Sequence, residues 1–350
     1  MKNEISPKAA TVQNKFLLCR GFINTGLVDV SRIGASIQCR SGRLILSKFR
    51  KLNIFSYLLH AMDLSLKKVL WITLFPACAV ALTVGCSKQV LYITTGDNLP
   101  IAYETHGFGK PALVFVHGWS CDRSYWKDQV KALSQKYEVI TLDLAGHGES
   151  GTERDDWTIE SFGDDVAGVV QKLGLNEVIL IGHSMGGDVI VAASQRLTGR
   201  VKGLIWIDVY KQLGSYRTAE QSEAIIAPFR NAFEEKTNSF VRSMFLPGSD
   251  PSLVTRIAKD MSSAPPDIAI SALKSAITYD RKVTVALDAL KLPVIAINPN
   301  KPATDSLSLK KYGVKTVIMP GVGHFPMLEK PNEFNRVLLS AIEEISAAAQ

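Results

Sequence analysis

The sequence predicts an α/β fold: a mostly parallel central sheet with helices on both faces and a helical cap. Three observations carry this reading. From residue 89 onward, apolar runs of strand length alternate with segments whose apolar residues recur at helical spacing. Continuous apolar strands of that kind belong to a sheet buried on both sides. A six-residue turn, Gly182-His183-Ser184-Met185-Gly186-Gly187, joins the run Val178–Ile181 to the run Val189–Ala193, which reads as strand, sharp turn, helix. Residues 211–285 then interrupt the alternation with helix formers, about 70 residues and too long for an ordinary loop.

Taken in order, the first strands fall at Gln89–Thr95 and Ile101–His106, around the turn Gly96-Asp97-Asn98. Ala112–Val116 is apolar throughout and runs into His117-Gly118-Trp119-Ser120. A helix over Ser124–Ser134 precedes the strand Tyr137–Leu142, which leads into Asp143-Leu-Ala-Gly-His-Gly-Glu-Ser150. Phe162, Val166, Val169, Val170 and Leu173 share one face of a helix over Ile159–Leu173, which Gly174 ends. The turn's own strand is 177–182, and its helix runs to Leu197. Further strands are expected at Val201–Val209, Pro293–Asn298 and Val314–Met319, with a last helix over Asn332–Ala347. Residues 89–210 and 286–350 thus form the core. The insertion 211–285, broken at Leu246–Pro251 and Ala264–Asp267, is expected to cap one edge of the sheet.

The segment before the core has another character. Residues 1–61 hold ten Lys and Arg against Glu4 and Asp29, so the net charge of +7 sits there and the remainder is near neutral. The positive balance is therefore no argument for nucleic-acid binding. Met62–Lys68 and the apolar run Val69–Gly85, ahead of Cys86, have the layout of a secretory signal over residues 62–88. Thr83-Val-Gly-Cys86 resembles the lipobox of bacterial lipoproteins, although Leu82 stands four residues before the cysteine rather than three. That resemblance implies lipidation of Cys86 and an exported protein, periplasmic or anchored at the outer membrane. The alternative is an uncleaved membrane anchor. A secretory signal works at the start of a protein, so residues 1–61 are expected to be a basic extension, disordered or not translated, with Met62 as the start. The rival is an organellar targeting segment. Only Cys121 lies in the core, so no internal disulfide holds it.

The six-residue turn carries Gly-x-Ser-x-Gly, the nucleophile-elbow pattern. The chain packs closely there, which calls for small residues on either side, and the helix N-terminus behind Ser184 favours developing negative charge. HGWS at 117–120, DLAGHGES at 143–150, GHSMGG at 182–187 and PGVGHFPMLEKP at 320–331 resemble, in order and spacing, the α/β-hydrolase superfamily over residues 89–350. The resemblance implies that fold and a serine nucleophile, not a substrate. Its chain order places the base late, which singles out His324; His117, His147 and His183 belong to motif turns where packing and backbone hydrogen bonding explain them. The acid is open. The usual slot after Pro293–Asn298 holds no carboxylate. Asp208, at a strand end from which some members take their acid, is preferred. Asp305 is the alternative, its plainer role being an N-cap for Ser306–Tyr312. Backbone N–H groups of Met185 and Trp119 are expected to form the oxyanion hole.

Gly146–Gly151 also spells G-x-G-x-x-G, but a polar stretch follows where a helix would have to open, so no dinucleotide is expected. No metal-binding or phosphate-binding motif is present in the sequence either, and no cofactor is expected. The expected activity is a serine hydrolase acting on a small carboxylic ester or thioester through an acyl-enzyme. The alternatives are a perhydrolase or acyltransferase, or a slow or non-catalytic sensor on the same fold.

Overall fold

A computed structural model of the protein describes residues 37–40, 43–46 and 90–348. The chain divides into two units, 1–83 and 84–350. In the first, Ile37–Arg40 pairs antiparallel with Arg43–Leu46. The signal-like segment 62–88, with Cys86, and nearly all of 1–61 lie outside the described residues. Among the described residues, no helix is long and apolar enough to cross a membrane.

Among the described residues, the second unit is built on eight strands: β1 (Leu91–Thr94), β2 (Pro100–His106), β3 (Ala112–Val116), β4 (Val139–Leu142), β5 (Val178–His183), β6 (Val201–Ile207), β7 (Val294–Pro299) and β8 (Val314–Met319). Their order across the sheet is 8-7-6-5-3-4-2-1. Only β1–β2 and β2–β4 pair antiparallel; the rest are parallel. β3, β4, β5 and β7 are buried at every position, as strands covered on both faces must be. This is the α/β-hydrolase fold that the sequence motifs imply.

Core helices are α1 (Lys127–Leu133), α2 (Ile159–Lys172), α3 (Met185–Arg196), α8 (Ser306–Lys310), α9 (Pro326–Glu329) and α10 (Pro331–Ala348). α2 begins at a capping box of Thr158 and Ser161, well after Gly151, so the glycine-rich turn opens no helix. That turn instead folds around buried Asp143, which accepts the N–H groups of Arg123 at 2.7 Å and Glu149 at 2.8 Å. The expected helix over Ser124–Ser134 is split: Asp122 caps a 3-10 turn over Arg123–Trp126, and α1 follows.

Between β6 and β7 lie α4 (Ala219–Asn231), α5 (Phe233–Ser243), α6 (Pro251–Ser262) and α7 (Pro266–Leu290). Asp250 caps α6, and proline opens both α6 and α7 at a position whose N–H would be unpaired anyway. α7 runs past residue 285, where the insertion was expected to close, and ends on left-handed Lys291. Trp119 fastens this layer to the sheet. Its indole N–H donates to Ala269 O at 2.7 Å, and its ring meets Phe229, Phe233 and Phe240 edge-on.

Candidate active site

Ser184 stands between β5 and α3 at φ 52°, ψ −124°, a conformation that side chains rarely adopt. Its N–H donates to Ile207 O at 3.0 Å, which ties the turn to the end of β6. A β-carbon on Gly182 would lie 2.3 Å from Gly186 O. One on Gly186 would lie 2.5 Å from the carbonyl oxygens of Val116 and His117. Three backbone segments meet there, which is the physical content of the small residues flanking the serine.

Gly118 and Trp119 follow β3 and lie against the same point: a β-carbon on Gly118 would sit 3.2 Å from Ser184 Cβ. Neither Trp119 N–H nor Met185 N–H has an acceptor among the described residues. Met185 is the first residue of α3, so its amide is one of the helix's unpaired donors. Trp119 and Met185 both line one cavity with Ser184.

His324 lies beyond β8, in a loop tied from three sides. Glu329 accepts the N–H groups of Gly323 at 2.9 Å and Phe325 at 3.1 Å. The N–H of His324 donates to Met244 O of the cap at 3.0 Å, and His183 Nε2 donates to His324 O at 2.8 Å. The imidazole Nδ1 then donates to Asp208 Oδ2 at 2.7 Å, which leaves Nε2 with no partner among the described residues.

Asp208 follows β6 directly, at φ 48°, with its N–H on Ile297 O at 3.0 Å. Its second oxygen lies 2.5 Å from the Lys211 ammonium. Burial pushes the carboxyl up, but the bond and charge of His324 and then the Lys211 ammonium outweigh it, so its pKa lies below the ordinary value. Asp305 is placed otherwise. It caps α8, accepting the N–H groups of Leu307 at 3.1 Å and Ser308 at 3.0 Å, and it does not line the cavity. The structure pairs His324 with Asp208.

The other motif histidines are held by backbone groups. His117 Nδ1 donates to Gly118 O at 2.8 Å and its Nε2 accepts from Leu144 N–H at 2.9 Å, while His147 Nδ1 donates to Ala145 O at 2.9 Å. Burial holds His117 and His147 down at about 4. Burial, with the His324 charge beside it, holds His183 at about 3. Sequence reasoning expected packing and backbone hydrogen bonding at His183 but did not foresee that the bonded carbonyl is that of His324. It also missed Glu329, although that residue sits in the quoted 320–331 block, and Lys211, whose spacing of three from Asp208 was the available signal.

The cavity measures about 1110 Å³ and reaches from Ser184, Asp208 and His324 to the cap residues Leu273, Ile277 and Asp280. Among the described residues, no three His, Cys, Asp or Glu gather in a metal-binding arrangement. The assembly can activate a serine hydroxyl through an imidazole oriented by a carboxylate, beside two free N–H donors.

Known proteins place the chain. It is 36% identical over 114 residues to a non-heme chloroperoxidase of Kitasatospora aureofaciens, 32% of this chain and 41% of that one. It is likewise 36% identical over 98 residues to a bifunctional esterase/perhydrolase of Acinetobacter calcoaceticus, 27% and 36% of the two chains. The chain thus spans less than half the length of these two relatives. A thermophilic esterase from Thermogutta terrifontis, solved with malate bound, superposes with a TM-score of 0.64 at 26% identity, over 73% of this chain and 99% of that one. The profile of the alpha/beta hydrolase family matches residues 113–337, well over half of the sequence, and the chain belongs to that family.

Proposed function

We propose that the protein is a cofactor-independent serine hydrolase that cleaves a carboxylic ester or thioester through an acyl-enzyme. The observation that carries this is the 2.7 Å bond from His324 Nδ1 to Asp208, on a histidine sharing a cavity with Ser184 at the head of α3. In this reading His324 Nε2 takes the hydroxyl proton as Ser184 Oγ attacks the carbonyl carbon. The N–H groups of Trp119 and Met185 receive the negative charge that develops on the carbonyl oxygen. The tetrahedral species collapses as His324 returns the proton to the leaving alcohol or thiol. Water, deprotonated by the same nitrogen, then releases the acid. Asp208 holds the imidazole in the tautomer this requires and stabilises the imidazolium.

The acyl-enzyme leaves the acceptor open. Hydrogen peroxide in place of water would give a peracid, and the likeness to an esterase/perhydrolase favours that as the second reading. We also propose export, through residues 62–88, with Cys86 anchoring the chain at a membrane; this rests on the sequence pattern alone.

The test is a series of p-nitrophenyl esters of rising acyl length, with water alone and with added peroxide. Turnover that disappears in Ser184→Ala is expected. A release of nitrophenol that stops at one equivalent would point instead to a sensor that acylates without turning over, and no release at any length would overturn the hydrolase reading.

A further inference from the structure

The cavity carries a second polar feature that the proposed triad does not use. Leu273, Ala276, Ile277 and Asp280 line it from one face of α7, at the i, i+3, i+4, i+7 spacing of a helical stripe. The stripe is apolar until Asp280. On α3, which packs against α7, Asp188 lines the same cavity. Asp188 is four residues beyond Ser184, a rise of about 6 Å along the helix. Its Oδ1 accepts the Tyr210 hydroxyl at 2.5 Å.

Asp280 is only 9% exposed, yet its side chain makes no hydrogen bond or ion pair among the described residues, and its Oδ2 is fully enclosed without a donor. Buried acceptors are normally satisfied, and an unpaired one is costly. Burial pushes the Asp188 carboxyl up to about 7; the Tyr210 bond offsets part of this and the charge of Asp280 adds to it. Two buried carboxyls thus line one cavity with, among the described residues, a single side-chain donor for the pair, the Tyr210 hydroxyl on Asp188. An ammonium offers three donors and one positive charge, the complement of that arrangement.

We infer that Asp280 and Asp188 form a cation subsite that takes a primary ammonium on the acyl or alcohol arm of the ester. This rests on the hydrolase reading for the word ester, but not for the subsite itself. Three cations also line the cavity. Lys211 is engaged by Asp208, whereas Arg217 and Lys301 are exposed, where water and salt screen them. The buried carboxyls lie beside the apolar stripe that accommodates the intervening methylenes, and Asp188, raised to about 7, adds negative charge as pH rises past that value.

Calorimetric titration with hexylammonium and with 1-hexanol tests the subsite directly. The amine is expected to bind at least about tenfold tighter than the alcohol, and Asp280→Asn, nearly isosteric, to remove at least about tenfold of that preference. Equal binding of the two, or a preference unchanged in both Asp280→Asn and Asp188→Asn, overturns the inference whether or not any ester is cleaved. The kcat/KM ratio of p-nitrophenyl 6-aminohexanoate to p-nitrophenyl hexanoate reads the same preference on the acyl arm. 2-Aminoethyl hexanoate against ethyl hexanoate reads it on the alcohol arm. A protein that binds the amine selectively but cleaves none of these esters would sink the hydrolase reading and leave the subsite standing.

Discussion

Ser184 holds a backbone conformation that costs of order 1–3 kcal/mol and is imposed by the packing of its glycine neighbours. Ser184→Gly is therefore expected to abolish activity while raising unfolding free energy by about 1 kcal/mol, measured by urea denaturation. The acid gives the sharper contrast. Asp208→Asn should lower kcat by about 10⁴-fold, because Asn would offer its amide to the wrong imidazole tautomer. Asp305→Asn should cost little, since Asn caps helices as well as Asp. The sequence held both aspartates open because each follows a strand near the same sheet edge. What separates them is tertiary: Asp305 has two amides of α8 within reach, while Asp208 faces a histidine more than a hundred residues away in the chain. The places of Ser184 and His324 in the fold were legible because each sits in a local glycine or proline pattern. Lys211 was signalled only by its spacing of three from Asp208, and only the folded cavity brings Asp188 and Asp280 forward.

Among the elements, the strands and the longer core helices were legible because each writes its own burial into the sequence: β5 and β7 as runs opening on consecutive apolar residues, α2 as one apolar stripe. The cap was legible as helix but not in its end, because α7 continues through Val285 to Leu290 with good helix formers and no stop signal before Lys291. The nucleophile turn and the cap each turn on one residue. Gly186→Ala would drive a β-carbon onto two backbone carbonyls that cannot swing away, and is expected to destabilise by about 3 kcal/mol or more in thermal unfolding. Trp119→Phe keeps most of the ring contacts but removes the donor to Ala269 O. A loss of about 1–3 kcal/mol is expected, with the backbone N–H at residue 119 still in place.

Over the whole molecule, buried ionisable groups set the response to pH. His117, His147 and His183 are held neutral at about 4, about 4 and about 3, below the ordinary 6.5, so the unfolded chain binds more protons than the folded one as pH falls through that window. Their contribution to stability is complete above the unfolded value and is lost as pH falls toward the folded ones. Asp188 works in the other direction. Its pKa is raised to about 7 from 3.8, so its contribution is greatest in acid and is lost as pH rises from about 4 to about 7. Asp188→Asn is accordingly expected to gain Tm over the wild type at pH 8 and to show no such gain at pH 4; a gap independent of pH would contradict a neutral buried Asp188. The central claim concerns the serine at the head of α3, and covalent labelling tests it most directly. Treatment of the folded protein with a fluorophosphonate, followed by mass analysis of its peptides, is predicted to place one phosphonyl group on Ser184 and none anywhere in Ser184→Ala. A protein that remains folded and unlabelled, or that carries the label on another residue, would contradict the account.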